Sequence, residues 1–369
     1  MDIGGTVRVP QDMLPTYLTH NTSVNLVEQY LAGAQTAQQV GKPFMMFETN
    51  TASCGGFPGI SDAFVAALWG LDYGLTMAHS NFTGALWHVG GQNTYYNPFT
   101  PPPSNQSSFR QWTVGECHCL IPFHHLFNPY EGPMYYAALV MSEVMGRSNQ
   151  SQVIDLAANG GDLSTPGYAI YENGTPMKVA LFNNLDDDTG AHDLSVAISI
   201  GGGDTGQTAS TPASVRVKYL LADHVTTKGN FTWAGQTLGA NFEADGRLKG
   251  DLNVVTVPCD TAANTCTVTV PAPGFALVFL NDQSYTDSTP SGETITFATT
   301  AGTRTINTAT VDPKVLETSN GHSGKDRTDI RSTSKGSSPN SSPTLREGLM
   351  NILLTGLGAG FGAVLFTML

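Results

Sequence analysis

The chain has 369 residues, enough for two domains, and 40% of them are apolar, so a large buried core is possible. Charged residues make up only 13%, about half the usual share of ~25%, and the formal net charge is −13. A nucleic-acid surface needs basic stripes, so this class of function is not expected.

The first part of the chain alternates between helical and strand patterns. Residues 24–40 have apolar residues at helical spacing, and residues 43–47 predict a short buried strand. Ser61 is a suitable N-cap for a mostly apolar helix, residues 82–89 predict the next strand, and residues 134–145 predict a further helix. This α/β order is typical of a parallel sheet or barrel. We therefore interpret residues 1–150 as the last units of a partial (β/α)8 barrel.

The pattern changes after Ser148. Asn173-Gly174 joins two strand-like runs and is a strong hairpin signal. Further short strands follow at regular spacing, so residues 151–281 are predicted to form an all-β, antiparallel β-sandwich domain. Cys259 and Cys266 lie in two of these runs on either side of a turn. They predict either a hairpin disulfide in an oxidising compartment or a pair of buried free thiols.

The C-terminal part has a different composition. Residues 282–351 are rich in Ser, Thr, Gly and Pro, and we interpret them as a disordered, O-glycosylated stalk. Residues 352–369 are uncharged and mostly apolar, which predicts either a GPI-anchor signal or a tail-anchored membrane helix. For the GPI anchor, Asn340 is the expected attachment residue, with Ser337 and Ser341 as rivals.

N-glycosylation sequons indicate the secretory pathway, with the protein at the cell surface or outside the cell. No signal peptide precedes the first helix, so we expect that the beginning of the protein is missing from this chain. The sequon residues are Asn21, Asn81, Asn105, Asn149, Asn173, Asn230 and Asn340.

The run "FMMFETNTASCGGFPG" over residues 44–59 contains the first catalytic candidate. An apolar run ends on Glu48, and small residues and a glycine-rich turn follow it. In a (β/α) barrel the C-terminal ends of the strands form the active site. Glu48 is therefore either a catalytic carboxylate or a structural partner of a buried arginine or a backbone amide.

The same region resembles fungal glycoside hydrolase family 79, the β-glucuronidase group. The resemblance is carried by "KPFMMFETNTASCGGFPGISDAFVAALWGLDYGLTMAHSNFTGALWHVGGQNTYYNPFTPPP" and by the later runs "VRVKYLLA", "NFTWAGQTLGANFEADGRLKG" and "TVPAPGFALVFL", and it covers about residues 5–280. It implies a (β/α)8 barrel with a β-sandwich, a retaining mechanism and Glu48 as nucleophile. The acid/base glutamate of the family ends an earlier strand, which has no counterpart here. The expected function is hydrolysis of terminal glucuronic acid on glycans, with the chain as written truncated and inactive.

Other residues of the site are expected on the loops after the last two strands. The small Gly55 and Gly56 let backbone N–H groups approach a sugar carboxylate, and Trp87 and His88 can form a sugar platform. The histidine and the tyrosines are equally good core residues. The substrate-binding candidates are Asn50, Gly55, Gly56, Trp87, His88, Gln92, Tyr95 and Tyr96.

A second catalytic carboxylate is not predicted within the chain. Glu28 and Asp72 fall on helical patterns and are expected on solvated faces, and Asp62 is expected to complement a helix N-terminus. The segment 116–131 departs from the family pattern and is either a real loop or translated intron. Its Cys and His residues lack zinc spacing, so no metal and no cofactor are expected.

An alternative function is a non-catalytic cell-surface protein that interacts with carbohydrate or cell wall. In both cases we expect a glycan as partner and membrane attachment through the C-terminal tail. The sequence makes no prediction about the oligomeric state.

Overall fold

The computed structural model describes residues 8–90, 94–100, 113–114, 132–238, 246–288 and 362–367. The chain divides into one unit of Met1–Ser291 with Phe361–Leu369 and another of Gly292–Gly360. The second unit lies outside the described residues, as do segment 116–131 and Asn340. The domain boundary predicted at residue 150 falls within the first unit and remains a prediction.

Three helices precede the first strand, and the single helix predicted over residues 24–40 is wrong. The Tyr30 N–H bonds to the Val27 carbonyl, three residues back, and this tight turn ends one helix before the next begins. Val27 and Ala34 both face the core from either side of the break. The helices are α1 (Pro10–Tyr17), α2 (His20–Glu28) and α3 (Leu31–Gln39).

A parallel βαβ unit follows, as the sequence pattern predicts. The unit consists of strand β1 (Met45–Thr49), helix α4 (Phe64–His79) and strand β2 (Gly84–Val89). Met46 of β1 pairs with Ala85 of β2. The strand predicted over residues 43–47 lies two residues later and is not buried throughout. Met46 is buried, whereas Phe47 is 78% exposed, because adjacent strand residues point to opposite faces of the sheet. Two short strands, β3 (Phe99–Thr100) and β4 (Thr113–Val114), pair after β2.

Helix α4 is central to the core, since residues 64–77 are all buried. It begins at Phe64, so Ser61 is not its N-cap. The N–H groups of Phe64 and Val65 donate instead to carbonyls of Thr227 and Val225 at 2.9 and 2.8 Å. These tertiary hydrogen bonds satisfy donors that a capping side chain would otherwise satisfy.

Helix α5 (Pro133–Met145) packs closely on α4. Gly70 makes this approach possible, because a Cβ there would lie 3.0 Å from Cε of Met134. Because α5 spans Pro133–Met145, the helix predicted over residues 134–145 is confirmed.

An antiparallel β domain follows. Seven strands form one sheet in the order β10-β9-β13-β7-β6-β5, with β11 also paired to β9, and β12 and β8 form a second sheet. Val196 and Val268 of the small sheet pack on Val179, Val217 and Val278 of the large one, which gives the predicted two-layer core. The elements are β5 (Ser151–Asp155), α6 (Ala158–Gly161), β6 (Gly167–Glu172), β7 (Thr175–Asn183), β8 (Leu194–Ile198), β9 (Ser214–Leu221), β10 (Thr232–Trp233), β11 (Val255–Pro258), β12 (Cys266–Val270) and β13 (Gly274–Phe279).

Two local predictions in this domain are confirmed. Asn173 and Gly174 form the two-residue turn between β6 and β7, with φ of 51° and 76°. A turn of this kind needs positive φ at both positions, which Asn-Gly provides. The Cys259–Cys266 disulfide is present.

The predicted stalk does not begin at residue 282. Asp282–Ser288 forms helix α7, because Tyr285 packs on Phe279 at 5.4 Å and under the Arg216 guanidinium at 4.6 Å. The remainder of the predicted stalk lies outside the described residues. In the predicted C-terminal tail, Gly362–Thr367 forms β14, which pairs antiparallel with β2. Of the helices within the described ranges, none has the length and apolar character to cross a membrane.

A buried polar cluster joins the helices to the β domain. His20 Nδ1 lies 2.9 Å from an Asp72 carboxylate oxygen, and His20 Nε2 lies 3.0 Å from one of Asp155. The Tyr168 hydroxyl donates to Asp72 at 2.6 Å. Asp72 is only 3% exposed, so its predicted solvated position is wrong. Its charge is compensated by His20, which lies 52 residues away in the sequence.

The free energy of unfolding should depend on pH through this cluster. Burial alone lowers the His20 pKa, but hydrogen bonds to Asp155 and Asp72 and their charges raise it from 6.5 to about 10. The stabilisation is therefore complete below pH 6.5 and is lost as the pH rises through about 10. The hydrogen bond from His20 lowers the pKa of Asp155 below its ordinary value of 3.8. The stabilisation from this carboxylate is therefore complete above pH 3.8 and is lost as the pH falls further.

We expect His20→Gln to cost about 1–3 kcal/mol near pH 6 and progressively less toward pH 10. Urea unfolding at several pH values measures this. If the free energy of unfolding changes with pH equally in the wild type and the variant, the cluster does not control the pH dependence of stability.

Candidate active site

Glu48 lies at the C-terminal end of β1, beside an open cleft of about 650 Å³. Its side chain is exposed at the cleft, whereas Met46, two residues earlier, is buried. The cleft is lined by Glu48, Thr49, Asn50, Ala52, Ser53, Cys54, Gly55, His88, Gly90, Thr94 and Tyr96. The cleft thus brings together five of the predicted site residues, namely Glu48, Asn50, Gly55, His88 and Tyr96.

His88 and Tyr96 form a hydrogen-bonded pair on the side of β2. The Tyr96 hydroxyl lies 2.6 Å from His88 Nδ1, and the two rings meet edge to face at 5.6 Å. We assign the tyrosine as donor, which makes Nδ1 the acceptor and puts the ring proton of neutral His88 on Nε2. In this tautomer the second nitrogen of the ring is a hydrogen-bond donor.

The Tyr96 hydroxyl and Glu48 are close enough to interact electrostatically. Burial raises the pKa of Tyr96, the Gly55 N–H lowers it, and the negative charges of Glu48 and Cys54 raise it further. Tyr96 therefore remains a neutral hydroxyl beside the Glu48 carboxylate at ordinary pH.

Asn50 connects the ends of the two strands. Its Nδ2 donates to the carbonyls of His88 and Tyr96 at 2.9 and 3.4 Å, and its Oδ1 accepts the Thr51 N–H at 2.8 Å. These bonds fix the loop of Tyr96 against the end of β1. Asn50 lines the cleft as predicted, but its amide is already engaged with backbone groups.

The two glycines have different roles. Gly55 lines the cleft with φ of 97°, a left-handed conformation that suits glycine, and its carbonyl accepts the Tyr95 N–H at 2.8 Å. Gly56 does not line the cleft, and its N–H bonds to the Ser53 carbonyl at 3.3 Å. A Cβ at Gly56 would lie 2.6 Å from Ser61 Oγ, so this glycine permits close packing. The predicted contact of its N–H with a sugar is therefore not supported.

Trp87 does not face the cleft. It is 4% exposed and packs near Trp69 with ring centroids 6.3 Å apart, so it is a core residue and not a sugar platform. The reason is strand geometry, since Trp87 and His88 are adjacent and point to opposite faces of β2. Tyr95 is half-buried and does not line the cleft, and Gln92 lies outside the described residues.

Sequence reasoning did not identify Thr94 and Asn97 as parts of this site. Thr94 lines the cleft and packs on Gly90, whose Cβ, if present, would lie 2.6 Å from Thr94 Oγ1. The buried Asn97 accepts the Gly90 N–H at 2.9 Å and so closes the loop after β2. The polar residues after Gly90-Gly91 could have indicated these two residues, because polar side chains in such turns often hydrogen-bond to nearby backbone groups.

Glu48 is the carboxylate among the described residues that line the cleft. Lys and Arg are absent from that same set of residues. Asp62, which was expected to complement a helix terminus, is buried instead and pairs with Lys228 at 2.7 Å. Within the described part of the chain, no cluster of three or more potential metal ligands is present.

Comparisons with known proteins agree with the resemblance in the sequence. Residues 167–277 match the profile of the glycosyl hydrolase family 79 C-terminal beta domain. A β-glucuronidase of Aspergillus niger is 26% identical over 267 residues, which are 69% of this chain and 44% of that protein.

Solved structures also match. A 4-O-alpha-L-rhamnosyl-beta-D-glucuronidase of Fusarium oxysporum 12S, in its Rha-GlcA complex, has a TM-score of 0.55 at 21% identity, over 72% of this chain and 50% of that one. This likeness concerns the fold alone. A family 51 alpha-L-arabinofuranosidase of Bifidobacterium longum has a TM-score of only 0.40 at 10% identity, over 76% of this chain and 51% of that one, and supports no argument.

The chain spans about half the length of the glucuronidases that it matches. Its β domain matches the family profile over residues 167–277. These residues of the chain are therefore similar to the C-terminal beta domain of glycosyl hydrolase family 79.

Proposed function

We propose that this chain supplies the nucleophile side of a β-glucuronidase-like retaining active site for terminal glucuronic acid on glycans. In this proposal β1, α4 and β2 are the last units of a (β/α)8 barrel. Glu48 attacks the anomeric carbon to form a glycosyl-enzyme. The observation that carries the proposal is the position of Glu48 at a strand's C-terminal end, in one cleft with His88 and Tyr96.

The neighbours of Glu48 suit this role. Tyr96 is a neutral hydroxyl next to the carboxylate and can hold its orientation, while His88 Nε2–H can donate to a sugar oxygen. A uronate carboxylate would here meet neutral donors, since no described lining residue is cationic. The Ser53 hydroxyl and the His88 ring are the donors that we propose for it.

Retaining hydrolysis needs a second carboxyl group about 5–5.5 Å from the nucleophile. One group protonates the leaving oxygen while the other attacks. The described lining residues contribute Glu48 alone, so we propose that the acid/base belongs to a part of the enzyme that this chain lacks. The chain as written is then inactive. The length of the relatives that it does not match is consistent with this proposal.

A second candidate is a non-catalytic cell-surface protein that binds carbohydrate or cell wall. The single carboxylate in the described lining favours it, because a cleft of this kind can bind a sugar without cleaving it. The two candidates differ in whether catalysis appears when the missing part is supplied.

An assay with D-glucuronic acid and an aryl β-glucuronide tests the proposal. We expect the chain alone to bind D-glucuronic acid more tightly than D-glucose and to hydrolyse no aryl β-glucuronide. The completed enzyme, meaning this chain joined to the part of the A. niger β-glucuronidase that it does not match, should hydrolyse it. Binding without hydrolysis in a folded completed enzyme would favour the non-catalytic candidate, and hydrolysis by the chain alone would exclude the proposed division of the catalytic pair.

We also propose that the protein follows the secretory route and carries N-glycans. The sequon asparagines that the structure describes are all exposed, which glycosylation requires. They are Asn21, Asn81, Asn149, Asn173 and Asn230. Asn105 and Asn340 lie outside the described residues and remain predictions.

A GPI anchor at Asn340 is the proposed membrane attachment. The alternative of a tail-anchored helix is not proposed, because Gly362–Thr367 forms strand β14. The polar spacer and apolar end of the sequence support the anchor. Phosphatidylinositol-specific phospholipase should release the native protein from membranes. Retention after the enzyme treatment, together with detection of Leu369 in the mature chain, would contradict the anchor.

A further inference from the structure

The loop between Asn50 and Ser61 forms one wall of the cleft and is fastened by side chains that do not line it. Ser61 is fully buried, and its Oγ accepts the Phe57 N–H at 2.8 Å. The Thr51 hydroxyl donates to the same oxygen at 2.6 Å. One hydroxyl therefore joins the beginning of the loop to its far side.

Tyr17 of α1 extends this connection. Its hydroxyl donates to the Thr51 carbonyl at 2.7 Å, and its ring packs edge-on against Trp69. Burial raises the pKa of Tyr17 to about 12, so it stays a neutral donor over the working range of an enzyme. The half-buried Tyr17 and the buried Thr51 and Ser61 are thus linked by hydrogen bonds, and we call these three residues the brace.

The brace acts on the cleft at two points. At one end, Thr51 directly follows Asn50, and the Thr51 N–H holds the Asn50 side chain that bridges the two strands. At the other end, Ser61 packs directly against Gly56, where no side chain fits. The residues between these points, Ala52 to Gly55, are loop residues that line the cleft together with His88.

We propose that Thr51 and Ser61 are positioning residues, and that the brace sets the distance between the Ser53–Gly55 wall and the Glu48 carboxylate. This inference rests on the proposed function, because it assigns the wall to the uronic acid. A ligand held by a few neutral hydrogen bonds depends strongly on such placement, since each bond weakens steeply with distance and angle. The brace residues themselves do not touch the ligand.

Thr51→Val and Ser61→Ala test the inference in the chain as it exists. Thr51→Val keeps the shape of the side chain and removes the hydroxyl, and Thr51→Ser keeps the hydroxyl. We expect both hydroxyl-deleting variants to weaken D-glucuronic acid binding about tenfold in saturation-transfer NMR titrations. Thr51→Ser should recover most of the affinity. Thr36→Val is the matched control, because Thr36 is exposed on α3 and bonds only locally, to the Ala32 carbonyl.

Amide hydrogen exchange tests the brace independently of the proposed function. Ser61→Ala should accelerate exchange of the Phe57 N–H at least about tenfold, and Thr36→Val should leave it unchanged. If exchange accelerates but the wild type does not prefer D-glucuronic acid to D-glucose, the proposed function fails while the brace as a loop-positioning device stands. The inference is overturned if Phe57 exchange is unchanged in Ser61→Ala, or if the wild type binds the uronic acid and Thr51→Val binds it equally well.

Discussion

Glu48→Gln in the completed enzyme should lower turnover of an aryl β-glucuronide by roughly 10⁴-fold or more, as expected for loss of a covalent nucleophile. The substitution keeps the size of the side chain and removes the negative charge that attacks the anomeric carbon. A mechanism-based fluoro-glucuronide should label Glu48 in the unsubstituted enzyme, and the variant should not be labelled. Peptide mapping by mass spectrometry identifies the labelled residue.

A matched control distinguishes chemistry from a general loss of charge. Glu28→Gln makes the same change on the exposed face of α2 and should leave turnover and labelling intact. Labelling of another carboxylate would refute the assignment of Glu48. A Glu48→Gln enzyme that retains turnover while folded would refute it equally.

The position of Glu48 could be predicted because it depends on local pattern. An apolar strand, a carboxylate at its end, small residues and then an apolar helix are contiguous in the sequence, and β1, α4 and β2 form accordingly. The Asn173-Gly174 hairpin and the Cys259–Cys266 disulfide are local in the same sense. Such features need no knowledge of distant contacts.

The errors concern residues whose partners are distant in the sequence. Asp72 has a helical position that is typical of a solvated face, but His20 and Tyr168 bury it. Ser61 has the right residue type for an N-cap, but the carbonyls of the β domain satisfy the first N–H groups of α4. In each case a tertiary partner outweighs the local preference.

The prediction that Trp87 forms a sugar platform is a different kind of error, because the sequence contained the information needed to avoid it. Two adjacent strand residues face opposite sides, so Trp87 and His88 could not both face a sugar. The apolar neighbours of Trp87 on α4 make it the core residue and leave His88 for the cleft.

Glu143→Ala should lower the free energy of unfolding by about 3–5 kcal/mol, the usual cost of removing one partner of a buried ion pair. Glu143 on α5 accepts from Lys218 Nζ at 2.6 Å and from Trp233 Nε1 at 2.8 Å. The side chains of Glu143 and Lys218 are only 8% and 3% exposed. Removing the carboxylate leaves the Lys218 ammonium and the Trp233 N–H without their partner inside the core.

Lys178 makes the same region more sensitive. Its Nζ donates to the carbonyls of Glu143 and Val144 at the end of α5, at 2.9 and 3.0 Å. Burial lowers the Lys178 pKa, against the raising effect of nearby acidic groups, to about 8. Loss of the Glu143 charge removes one of those acidic groups, so Lys178 should lose its proton more easily in the variant, and the share of the destabilisation that Lys178 contributes should shrink as the pH rises through about 8.

Two further variants identify the cause of the effect, with urea unfolding at pH 7 as the measurement. Asp282→Ala breaks the exposed pair with Arg216, whose side chains are 86% and 39% exposed, and should cost about 1 kcal/mol or less. The double variant Glu143→Leu with Lys218→Met removes both buried charges and should recover much of the stability lost by Glu143→Ala, because no unpaired charge remains in the core. A cost for Glu143→Ala no larger than that of Asp282→Ala would mean that water reaches Lys218 when its partner is removed. The buried ion pair would then contribute little to the contact of α5 with the β domain.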